Sequence, residues 1–503
     1  MFSFVYLFIF QVKEIWPFTI DDMYITLRYA KNWASGFGLL WNIGESPVEG
    51  YSNFSFLGLG FLSIYLGLDP VVILKYTGVF GLFITCVAVY LLSRFWCSSR
   101  TAWISCVWLL AYKGQIIWTA SGLETSLYEG FLVLSVVFIF KGLGYNFFPA
   151  SSGSYRVSYF ISAGFLLALA SLTRTEAPIL MGLFVILLLF QVLFSRNQSK
   201  SISDNIYKIH NQLNYQLIIF VITFLILYLP YFVWRWHYFG RIFPNPVYCK
   251  GFTASLSFKL DKQYLLLCWP FIILSALAVF KKRDIRYYFL LLPSVVYGIL
   301  LINASELVAF DNRLFLPAFA LLLPLSLHGL DLTLEKSNLK NRDLALYLCA
   351  TIIMILFIPM MSLKNYAQFT RNPLAGEQLR MRVLEWLESN AVLDNHVVLA
   401  DSGMIPYYSS LRFIDSYCLN NARMTEDNPV DMYVNFCKIV FTTQPEIIVL
   451  TSLTENGHTL YTPADACLIS RLKRSRDYKL KASFQTKDSV NFYRYEIYKR
   501  YKS

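Results

Sequence analysis

Apolar runs long enough to cross a bilayer recur along most of this chain, and that recurrence limits what it can fold into. A hydrocarbon core about 30 Å thick takes roughly 17 to 25 mostly apolar residues per helix. Inside it, every backbone N–H and C=O must be paired within the protein. Eleven blocks meet the demand, near residues 1–16, 70–92, 102–118, 123–140, 157–172, 177–194, 216–234, 263–280, 286–303, 314–330 and 343–362. The 503 residues are 56% hydrophobic and 15% charged, and the apolar residues gather in these blocks instead of spreading as in a soluble core. The expected class is therefore an α-helical polytopic membrane protein with about eleven transmembrane helices.

The first block, "MFSFVYLFIFQV", has neither the basic start nor the small-residue cleavage site of a signal peptide, and is read as a retained helix with its start left open. The net charge of +12 does not imply nucleic acid, because there is no basic module interleaved with aromatics. Many Lys and Arg residues sit instead in short loops between spans. The basic loops "SRFWCSSR", "KGLGYNFFPASSGSYR", "SRNQSKSISDNIYKIH", "KKRDIR" and "EKSNLKNR" follow every second block and are assigned to the cytoplasm. A further apolar run at 54–67 would spoil this alternation if it crossed, so it is read as interfacial or re-entrant.

The opposite face then receives the unusual polar loops: 13–69, "SGLET", "TRTE", "RWHYFGRIFPNPVYCKGF" and "NASELVAFDNR". After the last block the chain turns ordinary in polarity, so 1–363 is expected to form the membrane domain and 364–503 a small α/β soluble domain on that outer face. "HVVLA" and "PEIIVL" read as buried strands and "GEQLRMRVLEWLESN" as an amphipathic helix. Nine cysteines carry no CxxC spacing. Cys86, Cys97, Cys106, Cys268 and Cys349 fall in or beside apolar blocks. Cys249, Cys418, Cys437 and Cys467 face an oxidising compartment, with their pairing left open.

The outer loops hold the candidate chemistry. In "TIDDMYITLRYAKNWASGFG", Met23, Leu27, Ala30 and Ala34 share one helical face and Arg28, Lys31, Asn32 and Ser35 another, which predicts an amphipathic helix in the membrane interface. Thr19 and Asp22 have the spacing of a capping box, a structural use for Asp22. Asp21 has no such use and suits a general base. Glu45 and Glu49 lie in a Gly- and Pro-containing loop, where Trp41 and Tyr51 either stack on a sugar or belong to the interfacial belt. Arg174 and Glu176 either close a helix junction as an ion pair or serve a site, and Glu124 stands at another predicted helix end. Arg235, Arg241, Lys250 and Arg313 bring positive charge suited to a lipid phosphate or to ordinary headgroups. His237 has no second histidine at ligand spacing, so no metal site is expected there.

"DDMYITLRYAKNWASGFGLLWNIGESPVEGYSNF", "SGLETSLY", "LTRTEAPIL", "YFGRIFPNPVYCKGF", "RLFLPAFALLLP" and "ADSGMIPYYSSLRFIDSYCLN" together resemble, in type and order, the bacterial GT-C superfamily of membrane glycosyltransferases. The likeness is to terminal arabinofuranosyltransferases and to LphB-like multi-pass membrane proteins, and covers almost the whole chain. It implies an inverting transferase that moves a sugar from a polyprenyl-phosphate donor to an envelope glycan or glycolipid acceptor outside the cytoplasmic membrane. No nucleotide-sugar site is implied, and no Rossmann or P-loop signature is present. By the resemblance the catalytic base falls on Asp21, with Asp22 as its backup. Glu49, Glu124, Arg174, Glu176, Asn245, Lys250 and Arg313 match recurring motifs and are the expected substrate-binding residues. Relatives often carry a Gly-Gly-Asp type stretch before Arg313 where this chain has "NASELVAFDNR", so the sugar or acceptor is open to difference from arabinofuranose. No cofactor or metal requirement follows. The rival readings are a transporter or flippase for a lipid-linked sugar, which calls for broken helices and mid-membrane charges, and a noncatalytic glycan-assembly protein.

Overall fold

The computed structural model describes residues 2–149, 156–198, 204–251, 262–301, 310–335, 341–392, 395–426, 431–487 and 492–501. In chain order the helices are α1 (Phe2–Ile15), α2 (Asp21–Ala34), α3 (Phe54–Tyr65), α4 (Pro70–Ser93), α5 (Trp103–Ala111), α6 (Lys113–Ala120), α7 (Thr125–Gly142) and α8 (Val157–Thr173). They continue with α9 (Ala177–Gln198), α10 (Asp204–Phe239), α11 (Asn245–Gly251), α12 (Lys262–Lys281), α13 (Arg286–Leu300), α14 (Leu316–Glu335) and α15 (Arg342–Phe357). After α16 (Leu363–Asn390) come β1 (His396–Leu399), α17 (Met404–Tyr408), β2 (Arg412–Asp415), α18 (Met432–Thr443), β3 (Ile447–Glu455), β4 (His458–Tyr461), α19 (Pro463–Leu472), β5 (Tyr478–Gln485) and β6 (Phe492–Arg500). The chain divides into two compact units. One is built from residues 1–13, 75–234 and 257–362, the other from 14–74, 235–256 and 363–503.

The first unit is a helical bundle centred on α14. The apolar sequence of α14 runs all round the helix, and its residues from Leu316 to Leu330 are buried on every side. Backbone contact holds α12 against it: a Cβ on Gly329 would lie 1.8 Å from the Leu274 carbonyl oxygen, so only glycine fits. Ser326 Oγ reinforces the contact by donating to Phe271 O at 2.9 Å.

Helices occupy all eleven apolar blocks, but only five described helices are both long and apolar enough to cross a membrane alone: α4, α7, α10 from Asn214, α12, and α14 with its leading turn from Phe310. Four others, α3, α8, α9 and α13, are apolar and shorter. Among the described residues, these five and four stand beside the expected count of about eleven. Block 102–118 is also not one helix. Tyr112 is extended (φ −73°, ψ 119°) and separates α5 from α6. A backbone donor at this break is met by a tertiary partner, Lys113 N donating to Pro359 O at 2.8 Å, and two side chains brace it: Tyr112 Oη donates to Asp311 O at 2.8 Å and Lys113 Nζ pairs with Asp311 at 2.6 Å.

The second unit is built on a six-stranded sheet ordered β2-β1-β3-β6-β5, with β4 paired to the outer half of β3. β1 runs parallel to both β2 and β3, while β3, β6 and β5 are antiparallel neighbours. "HVVLA" and "PEIIVL" form the central strands β1 and β3, and "GEQLRMRVLEWLESN" is the second half of α16, as their patterns predict. Leu379, Val383 and Leu387 of α16 share one core with Val397, Val398 and Ile447 to Leu450. Ile25, Tyr29, Trp41, Tyr51 and Leu57 of the first outer segment belong to that same core.

That membership overturns two sequence readings. α2 is not an interfacial helix with one wet face, because Met23 to Ala30 are all buried, Arg28 included, as is Asn32. Trp41 and Tyr51 neither stack on a sugar nor form a belt: they pack on Tyr29, with ring centroids 5.8 and 5.1 Å away. α2 starts at Asp21, with Ile20 and not Thr19 at its N-cap position. α3 has twelve residues, about 18 Å at 1.5 Å per residue, and packs beside α2 in this unit. Cys249 pairs with Cys418 and Cys437 with Cys467; the five cysteines in or beside the apolar blocks are free.

Arg28 explains why a polar face can be buried. Its guanidinium donates to Trp41 O at 2.8 Å, to Asn42 Oδ1 and Leu411 O at 3.1 Å each, and to Pro406 O. Arg28→Met keeps the length but removes all four donated bonds; Trp41 O and Asn42 Oδ1 retain Asn32 Nδ2 and Phe413 N, while Pro406 O and Leu411 O lose a donor, each worth about 1–3 kcal/mol when buried unpaired. The variant is expected to melt well below the wild type in detergent. An unchanged melting temperature would mean that water takes over all four bonds.

Candidate functional site

Asp21 sits in the second unit at the first turn of α2, where a carboxylate is favoured by the helix dipole. Its oxygens accept from Gly403 N at 3.0 Å and Met404 N at 2.9 Å, and Arg380 Nε lies 3.2 Å away. The two backbone donors fill two of roughly four lone-pair positions, and Arg380 adds charge without a hydrogen bond from its Nε, so the carboxylate keeps open lone pairs. The Asp21 side chain is 17% exposed, so its carboxyl group is not sealed from solvent. Burial raises its pKa to about 6, a rise that Arg380 limits and nearby Asp401 reinforces. Asp22 follows it on the first turn, half-buried.

Arg380 is shared. Its Nη2 also reaches Asp401 at 3.3 Å, and Asp401 accepts from Tyr493 Oη at 2.9 Å and from Tyr495 Oη. Two carboxylates thus hold one guanidinium from α16, and two tyrosines of β6 fix the second carboxylate. Sequence reading missed Arg380, Asp401, Tyr493 and Tyr495. Arg380 was absorbed into an amphipathic helix, and only the polar break of "ADSG" after an apolar strand signalled Asp401.

The Gly403 backbone approaches closely enough to matter. A Cβ there would lie 2.2 Å from Asp21 O and 2.3 Å from its Oδ2. Gly403→Ala must push the carboxylate aside, at an overpacking cost of about 1–3 kcal/mol. It is expected to shift any pH profile governed by Asp21, whereas Ser402→Ala next to it does not. Identical profiles for the two variants would show that Asp21 does not govern the profile.

Glu49 and Asn245 lie elsewhere in this unit. Glu49 is buried with Arg235 Nε 3.6 Å away, and burial raises its pKa to about 8 against the pull of that arginine. Asn245 gives both amide hydrogens to Cys418 O and Leu419 O, at 2.7 and 3.1 Å, so it has no side-chain donor left for a ligand. Arg235 and Arg241 are likewise engaged by protein groups. Arg235 also donates to Arg241 O and Ile242 O, while Arg241 binds Asn245, Thr425 and Glu426. Lys250 belongs to α11, and its side chain lies outside the described residues.

The other candidates converge in the first unit. Arg174 is extended at the end of α8, and Pro178 in the first turn of α9 favours the restart of helix just beyond it. Its Nη2 pairs with Glu176 at 2.6 Å and its Nη1 with Glu124 at 3.2 Å, while Arg313 Nη2 reaches Glu124 at 3.5 Å. The result is a chain of alternating charges, Arg313–Glu124–Arg174–Glu176, drawn from three separate loops. Arg174 lies over the Tyr128 ring at 5.6 Å and Arg313 over Trp118 at 5.0 Å. Just before Arg313, Asp311 and Asn312 both take positive φ, 49° and 59°, a conformation that Asn and Asp tolerate better than bulky residues. Among the described residues no three His, Cys, Asp or Glu side chains converge closely enough to hold an ion.

A family described as a domain of unknown function (DUF8728) matches residues 365–498. No curated protein matches the sequence. Among solved structures, ArnT from Cupriavidus metallidurans bound to undecaprenyl phosphate is similar over 98% of this chain and 98% of that chain, with TM-score 0.59 and 13% identity. Archaeal oligosaccharyltransferase AglB from Archaeoglobus fulgidus, in complex with an inhibitory peptide and a dolichol-phosphate, is similar over 92% of this chain and 74% of that chain, with TM-score 0.55 and 11% identity. The architecture is that of a polytopic helical membrane protein carrying a small carboxy-terminal β-sheet domain. More narrowly, the chain has the GT-C fold.

Proposed function

We propose that this chain is a membrane glycosyltransferase that moves a sugar from a polyprenyl-phosphate donor to an envelope glycan or glycolipid, with inversion, on the periplasmic face of the inner membrane. The observation that carries the reading is the fold shared end to end with a structure solved with undecaprenyl phosphate. In this reading residues 13–69 and 364–503 lie on the periplasmic side.

The acceptor hydroxyl attacks the anomeric carbon, its oxygen forming the new glycosidic bond as the bond to the lipid phosphate oxygen breaks. Asp21 takes the hydroxyl proton through an open lone pair. A base with a pKa near 6 is largely ionised at neutral pH and still basic enough to accept a proton, which favours it for this task. The departing phosphate needs cations, and Arg174 and Arg313 offer fork-shaped donors for it, with Lys250 as a third candidate. Glu124 and Glu176 hold the two guanidiniums in place. Asp22, Glu49 and Asn245 receive supporting roles, Asn245 by fixing its loop to residues 418 and 419.

The test is mass spectrometry of envelope glycans and lipid-linked sugars in cells with the gene intact, deleted and restored. The proposal expects one sugar to vanish from a glycan on deletion while its polyprenyl-phosphate donor accumulates. One observation favours the transporter rival: the α5/α6 interruption with its Lys113–Asp311 pair is a broken helix carrying charge. Donor accumulation confined to the cytoplasmic leaflet would decide for that rival, and unchanged glycans would overturn both.

A further inference from the structure

The end of the chain has a charge pattern unlike the rest of its domain. Residues 471–501 contain ten basic and three acidic residues, while 363–470 contain seven basic and twelve acidic ones. A uniformly solvated surface has no reason to segregate charge this way. β5 supplies part of the basic segment and is an edge strand, exposed along most of its length.

The basic segment also has a concave centre. Lys481 of β5, Lys499 and Arg500 of β6, Tyr501, and Trp386 and Asn390 of α16 line a cavity of about 360 Å³, within the usual range for small-ligand sites. Trp386 packs part of its ring on the domain core, and Tyr501 is half exposed. Lys499 is already engaged by Glu446 at 3.4 Å and by Asn390 O at 2.6 Å. Lys479 and Lys481 lie over the Tyr501 ring, at 4.1 and 5.2 Å from its centroid, and Arg500 donates to Gln444 O at 3.1 Å. Among the described residues none of these last three cations pairs with a carboxylate.

We propose that this cavity binds an anionic saccharide, one bearing phosphate or carboxylate groups. Aromatic walls take the apolar face of a sugar ring, while unpaired lysine and arginine groups at the same mouth take its anions. A recess suits a sugar unit better than a flat bilayer surface, which calls for projecting apolar side chains beside the cations. None of the residues given a part in sugar transfer lines the cavity, so the proposal stands or falls apart from that reading.

The experiment is calorimetric titration of the full-length protein in detergent with a bisphosphorylated glucosamine disaccharide, with its dephosphorylated form, and with phosphatidylglycerol vesicles as competitor. The phosphorylated sugar is expected to bind and the dephosphorylated one to bind at least about tenfold more weakly, the effect of losing one charge-assisted bond. Lys481→Glu with Arg500→Glu, both at the exposed mouth, is expected to lose a further tenfold or more, and Tyr501→Ala to weaken both sugars. Equal affinity for the two sugars, unchanged binding in the double variant, no binding at all, or displacement of the sugar by the vesicles would each overturn the proposal.

Discussion

Asp21→Asn is expected to lower sugar transfer by about 100- to 10,000-fold, the usual effect of removing a general base. Asparagine keeps the size of the side chain but presents an amide hydrogen where Gly403 N or Met404 N now donates, so a loss of about 1 kcal/mol in stability accompanies the change. A melting curve beside the rate separates the two effects. Wild-type transfer should rise with pH through about 6 and level off above it, because only the ionised carboxylate accepts a proton. Stability runs the other way. The folded value is raised above the ordinary 3.8, so the folded state holds this proton more tightly, and Asp21 takes stability away as pH climbs from about 4 to 6. Near-normal transfer by a folded Asp21→Asn protein would move the base elsewhere.

Arg380→Met should have the largest effect on stability. One guanidinium serves Asp21 and Asp401, and taking one partner from a buried ion network costs about 3–5 kcal/mol. The loss depends on pH. Without Arg380 the Asp21 carboxyl rises further, so the variant recovers part of its stability in acid, where that group is protonated, and is weakest above pH 7. The rising limb of its activity profile moves to higher pH in the same experiment. Arg380→Lys restores a charge without the fork, and is expected to recover the profile more than the melting temperature. A melting deficit that stays constant from pH 5 to pH 8 would mean that Arg380 acts through packing alone.

Much of this protein was legible in its sequence. Apolar length fixed the helical membrane class, because a bilayer core leaves backbone groups no other partners. The two central strands showed as short apolar runs and α16 as a 3.6-residue pattern, since both periods follow from backbone geometry. Motif order pointed to the GT-C fold, and the polar loops contained Asp21, Glu124, Arg174, Glu176 and Arg313.

Tertiary structure decided the rest. Nothing local to "DDMYITLRYAKNW" announces that its polar face will be buried, because Arg28 is satisfied by Pro406 and Leu411, more than 370 residues away. The partners of Asp21 are equally remote, on α16 and at Gly403 and Met404. The break at Tyr112 lies inside an apolar run that reads as one helix, and it is held by remote partners: Pro359 O takes the Lys113 backbone N–H and Asp311 O the Tyr112 hydroxyl. Sequence by itself determined where the chain must be helical and which loops carry charge, both set by residue type and spacing. Which charges neutralise one another, and so which carboxylate keeps an open lone pair near neutral pH, depended on contacts between segments far apart in the chain, and only the folded structure brings those together.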